Sequence, residues 1–387
     1  MASNPRLVKE IDFAVELGYE VQVVCFQFDN WSGPLHEAIK KKYPGVDFLE
    51  IPAGRKPLTS WIQSVVLERL ARGLVYLGIK KSIILSTAIS RRSVRLLQQM
   101  SLLKPADWVI GHNPGALYPA YVVGKRMKAR IGFDVEDYHP GEGSSPLLKN
   151  ATAALFKNLL GKLDYISVAS PLFLEPLEQL TQHAMRDSIV TLNTFPSEEF
   201  KEISTDQVAK LQLVWYSQHI TFGRGLEDIL PELETHASQL ELHLIGQPDP
   251  SFKQQFLDGK FWIHSHGTMP QKELHLFLAT MDVGISSDQP VDQNREIAIP
   301  NKVIAYLQAG LFVLASNTQG HIRILQEQQH RSLTYRNTTE EIQRMIQQLI
   351  TLKQKIKQRN QTMRPPYFES WEQSRLVLQQ QWQSARA

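Results

Sequence analysis

"PNKVIAYLQAGLFVLAS", residues 300–316, is the stretch from which the fold class can be read. Pro300 and Asn301 open a helix, Val303, Ile304 and Leu307 give it an apolar face, and Gly310 ends it. "LFVLAS" follows at once and is apolar throughout, the pattern of a strand buried on both faces. Lys302 stands at the helix entrance, where the helix dipole disfavours a cation. An anion held there relieves that conflict. A lysine whose stem merely covers apolar surface is the plain alternative.

Outward from this unit the same alternation repeats. Before it come "LQLVWYSQ" (211–218), "LELHLIG" (240–246), "FWIHSHG" (261–267) and "MDVGISS" (281–287), with amphipathic helices such as 226–239 and 271–281 between them. The first half runs in parallel: a helix from Arg6 ending near Gly18, then strands at 21–28, 107–113, 130–137, 165–170 and 188–193. Strand–helix alternation predicts parallel sheets flanked by helices, with ligands bound outside the carboxyl ends of the strands. The polar stretch 195–210 reads as the junction between two such domains, 1–195 and 196–364. Pro365-Pro366 breaks the chain again, and 365–387, with Trp371 and Trp382, reads as a C-terminal helix packing back on the first domain. A Rossmann-like domain normally begins with a strand, but here Ser3 or Asn4 caps a helix with Pro5 in its first turn. The expectation is that a strand and a loop lie upstream.

Composition narrows the function classes. The chain has 387 residues, 42% hydrophobic and 21% charged, with a net charge of +3, too mild to indicate nucleic acid. Cys25 is the only cysteine, which excludes an internal disulfide or a cysteine cage for metal and fits a cytoplasmic location. The apolar run 82–90 is about half the roughly 20 residues a membrane span needs. The basic, apolar region Arg69–Arg95 fits either a peripheral contact with an anionic membrane at its inner face or a core helix pair with solvated ends.

Three strand ends carry candidate chemistry. In "YSQHITFGRGLEDIL" (216–230), Gly223 and Gly225 allow close backbone approach and Arg224 is always charged. Arg224 and Lys302 together suit a diphosphate leaving group. "GFDVEDYHPGEG" (132–143) places Asp134, Glu136, Asp137, His139 and Glu142 past a strand, where carboxylates bind sugar hydroxyls or act as acid or base. The spacing of Asp134 and Glu136 also admits a divalent metal, but no second cluster completes a ligand set, so hydroxyl binding is favoured. His112 and Asn113 end another strand.

Taken together these segments resemble the GT-B glycosyltransferases, specifically the retaining group called glycosyltransferase family four, over nearly the whole chain. "IAIPNKVIAYLQAGLFVLAS" resembles that family's donor-binding helix and strand, and "LVWYSQHITFGRGLEDIL" its phosphate-binding segment. "GFDVEDYHPGE" matches its carboxylate-bearing loop. The resemblance implies an α/β GT-B fold, two Rossmann-like domains facing each other across a cleft, and transfer from a nucleotide-sugar donor, UDP or GDP, without a metal or other cofactor. It implies a glycan or lipid-linked acceptor at a cell-surface polysaccharide. Ser217, Gly223, Arg224, Gly225, Asn294, Asn301 and Lys302 then hold the donor, and Glu136, Asp137 and Glu296 act at the sugar as the catalytic set. Arg6, His112 and Asn113 fall on the acceptor side. Two family carboxylates are absent: the helix position that grips the ribose is Ala305, and the sugar-contacting position is Ile297 with Glu296 beside it. Loss of such a charged hydrogen bond costs about 1.5–3 kcal/mol. Glu136 stands where the family often has histidine. These departures leave a non-catalytic scaffold as the alternative, and a sugar-nucleotide epimerase as a third reading.

Overall fold

The structure is a computed structural model that describes residues 4–28, 33–55, 57–185, 187–202, 209–363 and 365–384. Ser3, one of the two cap candidates, and residues 203–208 of the expected junction lie outside these. The chain forms two compact units, residues 1–191 with 377–387, and residues 192–376. The segment 365–387 is therefore divided between them, and the division near the middle falls after Thr191.

In the first unit, Asn4 caps the helix Pro5–Glu16, its side chain accepting from the Leu7 amide, and Pro5 occupies the first turn, where its missing N–H costs nothing. This helix buries Arg6, Glu10, Ile11 and Phe13, so two of its four buried residues are charged. Phe13 packs on Trp382 at 5.6 Å, and the Trp382 indole donates to the Tyr165 hydroxyl. Six strands fall into two parallel sheets: β1 (Gln22–Gln27) beside β2 (Asp47–Pro52), and β3 (Trp108–His112), β4 (Arg130–Val135), β5 (Tyr165–Val168) and β6 (Ser188–Val190) in that order. No backbone ladder joins the two sheets among the described residues.

The reading of 69–95 as a core helix pair divides. The helix Ser82–Ile89 buries Leu85, Ser86, Thr87 and Ala88, whereas the longer Leu58–Tyr76 buries only Ser64 and Ala71. No described helix is long and apolar enough to cross a membrane.

The second unit is one parallel sheet in the order β12-β11-β10-β7-β8-β9, formed by β7 (Leu211–Ile220), β8 (Leu240–Pro248), β9 (Ile263–Ser265), β10 (Val283–Ser286), β11 (Phe312–Ser316) and β12 (Ser332–Tyr335). Chain order reverses between β7 and β10, the doubly wound arrangement whose switch point opens a crevice at the strand ends. Every residue of β11 is buried, as its unbroken apolar run predicts, because apolar clusters cover both faces. β2 and β12 were not among the expected strands: "DFLEIP" and "SLTY" mix charged or polar residues into short runs that lack a clear period.

Candidate functional site

The switch point of the second unit collects the residues that the sequence singled out there. The Tyr306 hydroxyl donates toward the Ile285 carbonyl at 3.1 Å, anchoring the helix Asn301–Gln308 on the sheet. Gly284 of β10 makes room for that ring; a Cβ there would lie 2.2 Å from it. The anchored helix sets Lys302, at its N-terminus, beside Asp288 just past β10 and over the Trp215 ring of β7.

The glycine-rich loop is pinned to the same place. The Ser287 hydroxyl, just past β10, donates to the Arg224 carbonyl at 2.8 Å and accepts from the Trp215 indole at 3.0 Å. Gly225 has φ +72°, and a Cβ on it would meet the Ser287 carbonyl oxygen at 1.9 Å. Only glycine fits there. Gly225→Ala is expected to push the loop off β10 and lower the midpoint of thermal unfolding by several degrees, at a cost of about 1–3 kcal/mol. An unchanged midpoint would show that the loop relaxes freely.

Lys302 is not a free cation. Its ammonium lies 3.2 Å from each oxygen of Asp288 and 5.2 Å from the centre of the Trp215 ring. Asp288 is also near His321, whose Nε2 is 2.8 Å from the Ser286 hydroxyl. Burial alone raises the Asp288 carboxyl, but Lys302, His321 and the Ser286 hydroxyl hold it below the ordinary range. Burial pushes His321 down to about 4, so it is neutral at physiological pH. Arg224, by contrast, is half-buried with no side-chain partner among the described residues, and its backbone alone is tied down.

The other expected donor residues take different positions. The exposed Asn301 accepts from Asn193 at 2.9 Å, Asn294 is buried, and Ser217 is half-buried, with its carbonyl against the glycine-only Gly246. Glu296 accepts from the Gln319 amide at 3.2 Å, at the start of the helix Gln319–Leu325. Ala305 is fully buried within an apolar cluster.

A second charged centre lies in the first unit. Arg6 grips Asp134 with two hydrogen bonds, at 2.7 and 2.6 Å, and donates a third to the Thr191 carbonyl. The Ser167 hydroxyl donates to Asp134 as well. His112 lies between Asp134 (3.4 Å) and Glu10 (3.3 Å). Burial opposes its charge, but Glu10 and Asp134 push the imidazole up to about 10, so it is protonated at neutral pH. Burial, reinforced by Asp134 and Asp137, pushes the Glu136 carboxyl up to about 7. Asn113 has φ +68°, a conformation costly for a residue with a side chain, and its side chain does not cap the helix that follows.

Arg6, His112 and Asp134 thus converge with Glu10, which sequence reading did not single out; its signal was a carboxylate on the core-facing side of an amphipathic helix. Glu10, His112 and Asp134 offer ligand atoms within 4.8 Å of one another, but Arg6 already occupies both oxygens of Asp134. In the second unit Trp215, Ser287, Asp288 and His321 were also missed. Asp288 carried the clearest signal, two residues past the strand that borders the switch point.

No family model and no curated protein matches the sequence. Among solved structures, the chain is similar to HepE from Anabaena, solved with UDP and glucose, at 12% identity over 98% of this chain and 96% of that one, with a TM-score of 0.63. A glycosyltransferase from Rickettsia africae matches at 12% identity over 95% and 98% of the two chains, with a TM-score of 0.57. A putative UDP-N-acetylglucosamine 2-epimerase from Listeria monocytogenes matches at 13% identity over 95% and 97%, with a TM-score of 0.54. At these identities the likeness is one of fold, and the fold is GT-B.

Proposed function

We propose that this GT-B chain is a glycosyltransferase of the family-four kind, taking a sugar from a UDP donor held by the second unit and passing it to a glycan or lipid-linked acceptor. One observation carries the reading: at the switch point, the half-buried Arg224, with no side-chain partner among the described residues, follows β7 on its glycine loop, and Lys302, paired with Asp288, opens the helix Asn301–Gln308. That is where a parallel sheet binds phosphate. The UDP and glucose found in the HepE structure accord with the same chemistry. In the proposed reaction the bond from the sugar C1 to the β-phosphate oxygen breaks, and its electron pair leaves with UDP. Arg224 and Lys302 offset the developing charge. The acceptor oxygen bonds to C1 on the face the phosphate leaves, so configuration is retained, and its proton passes to the departing phosphate. Glu136, Asp137 and Glu296 orient the sugar, and His112 and Asn113 serve the acceptor side. Nothing in this scheme requires a metal.

The test is thermal unfolding with UDP, GDP, dTDP and their monophosphates, with and without magnesium. UDP at about 100 times its dissociation constant is expected to add about 2.7 kcal/mol of stability, selectively and without magnesium. Absence of a shift with every diphosphate would sink the proposal and favour the scaffold. The likeness to the Listeria protein gives epimerisation a specific claim. It predicts release of an epimerised sugar nucleotide with no acceptor present, whereas a transferase yields UDP and a glycosylated acceptor.

We further propose that the helix Leu58–Tyr76 lies on the cytoplasmic face of an anionic membrane, near a lipid-linked acceptor. Leu58, Ile62, Val66 and Leu70, spaced four apart, are 58%, 47%, 48% and 61% exposed, and Tyr76 and Leu77 continue the apolar surface. Exposed Arg55, Arg69, Lys80 and Lys81 accompany the stripe. The chain is expected to sediment with vesicles containing phosphatidylserine, to be released by salt, and to lose binding in I62E/V66E/L70E. Equal sedimentation of that variant would place the contact elsewhere.

A further inference from the structure

A polar patch on the β8–β9 side of the second unit's sheet lies outside the chemistry just described. His243 of β8 is directly opposite His264 of β9, and Glu241, two residues before His243, shares its face. Gln212 of β7 is the register partner of Glu241. Glu241, His243 and His264 each bring one ligand atom to within 4.8 Å of the others. His264 Nε2 lies 3.7 Å from Glu241 Oε2. It is shielded from solvent and has no hydrogen-bond partner.

Other side chains support the three. His243 Nδ1 lies 2.9 Å from His266 Nε2, and the His243 ring is stacked against those of both His264 and His266. His243 Nε2 lies 2.8 Å from Gln212 Oε1, and the same amide donates to Glu241 Oε2 at 3.3 Å. Among the described residues Lys210 is the one competing cation, 3.4 Å from the other oxygen of Glu241. Phe277 closes against the rings of His243 and His266.

We propose that Glu241, His243 and His264 bind a borderline divalent transition-metal ion, with zinc as the best fit. Two imidazoles and one carboxylate on neighbouring strands supply three ligands of a four-coordinate site, and water or the Gln212 amide oxygen supplies the fourth. Nitrogen donors favour zinc, nickel or cobalt over magnesium or calcium, which take oxygen. His266 acts as the partner that orients the His243 ring, a role common behind metal-bound histidines. The other two clusters with this spacing among the described residues are already committed. Arg6 holds both oxygens of Asp134 beside Glu10 and His112, and Glu50 beside His36 is taken by Lys40. The ion staples the three-residue edge strand β9 to β8 and stabilises that side of the unit.

Calorimetric titration of the chelator-treated full chain with zinc chloride tests this. The expected result is saturable uptake of one zinc ion with a rise in the unfolding temperature, no uptake of magnesium, and tetrahedral visible bands when cobalt replaces zinc. Uptake is expected to be lost in H243Q and in H264Q and kept in H36Q. His243 and His264 are partly exposed, so H243Q and H264Q should fold, and the metal-free unfolding temperature of all three variants, including that of the buried His36, verifies it. No saturable uptake, uptake unchanged in both H243Q and H264Q, or loss in H36Q instead would each overturn the proposal.

Discussion

Arg6→Ala is expected to lower the stability of the chain by about 3–5 kcal/mol, the range for removing one partner of a buried ion pair. The arginine and Asp134 are 3% and 1% exposed, so neither recovers its hydration when the other is lost. Removal leaves Asp134 with the Ser167 hydroxyl and His112, and orphans the Thr191 carbonyl. Urea unfolding at pH 7 measures the loss; a change within about 0.5 kcal/mol would mean that water replaces the guanidinium. In D134N/R6M, which removes both charges, part of the stability should return.

The same cluster dictates a pH dependence whose sign can be worked out. His112 is raised from 6.5 to about 10, so its contribution is complete below about 6.5 and is lost as pH rises toward 10. Asp134 is depressed, so its contribution is present above the ordinary carboxylate value and disappears only as pH falls well below it. Glu136, an acid raised to about 7, also makes stability fall with rising pH, but that effect saturates above 7. The decline between pH 8 and 10 that vanishes in H112Q is therefore the signature of the histidine.

The double variant R224A/K302A should bind UDP far more weakly and transfer sugar about 10²–10³-fold more slowly or worse, the scale for losing donors to a charged leaving group. Lys302 needs a control, because it also neutralises the half-buried Asp288. K302A alone is expected to destabilise the fold as well as the ligand complex. D288N/K302M removes both charges and should unfold near the normal temperature while remaining deficient in UDP binding. If it binds UDP normally, Lys302 is only the partner of Asp288, and Arg224 must act with some other cation. If R224A/K302A binds UDP normally, the phosphate site lies elsewhere.

Much of the architecture is legible in the residues. The expected helix from Pro300 to Gly310 appears as Asn301–Gln308, and "LFVLAS" appears as β11 from Phe312 to Ser316. The strands following 210 were all located except β12, and the glycine loop stands at a strand end as its spacing suggested. Of the site, the positions of His112, Asp134, Arg224 and Lys302 at strand ends or helix starts could be read directly. Their states of charge and pairing could not. Arg6, expected near an acceptor, is clamped on Asp134 across 128 positions of sequence, and Lys302, expected at a phosphate, already holds Asp288.

The sequence by itself therefore determined the elements and their alternation, because backbone hydrogen bonding repeats every 3.6 or 2 residues and the apolar pattern must follow it. It also determined where glycine permits a turn. Only the tertiary structure decided the switch point between β7 and β10, the contact that makes Gly225 irreplaceable, and the partner of each buried charge. Those depend on which strands become neighbours, and burial in a low-dielectric interior makes a charge's energy depend on what stands within a few ångströms, wherever in the chain it comes from.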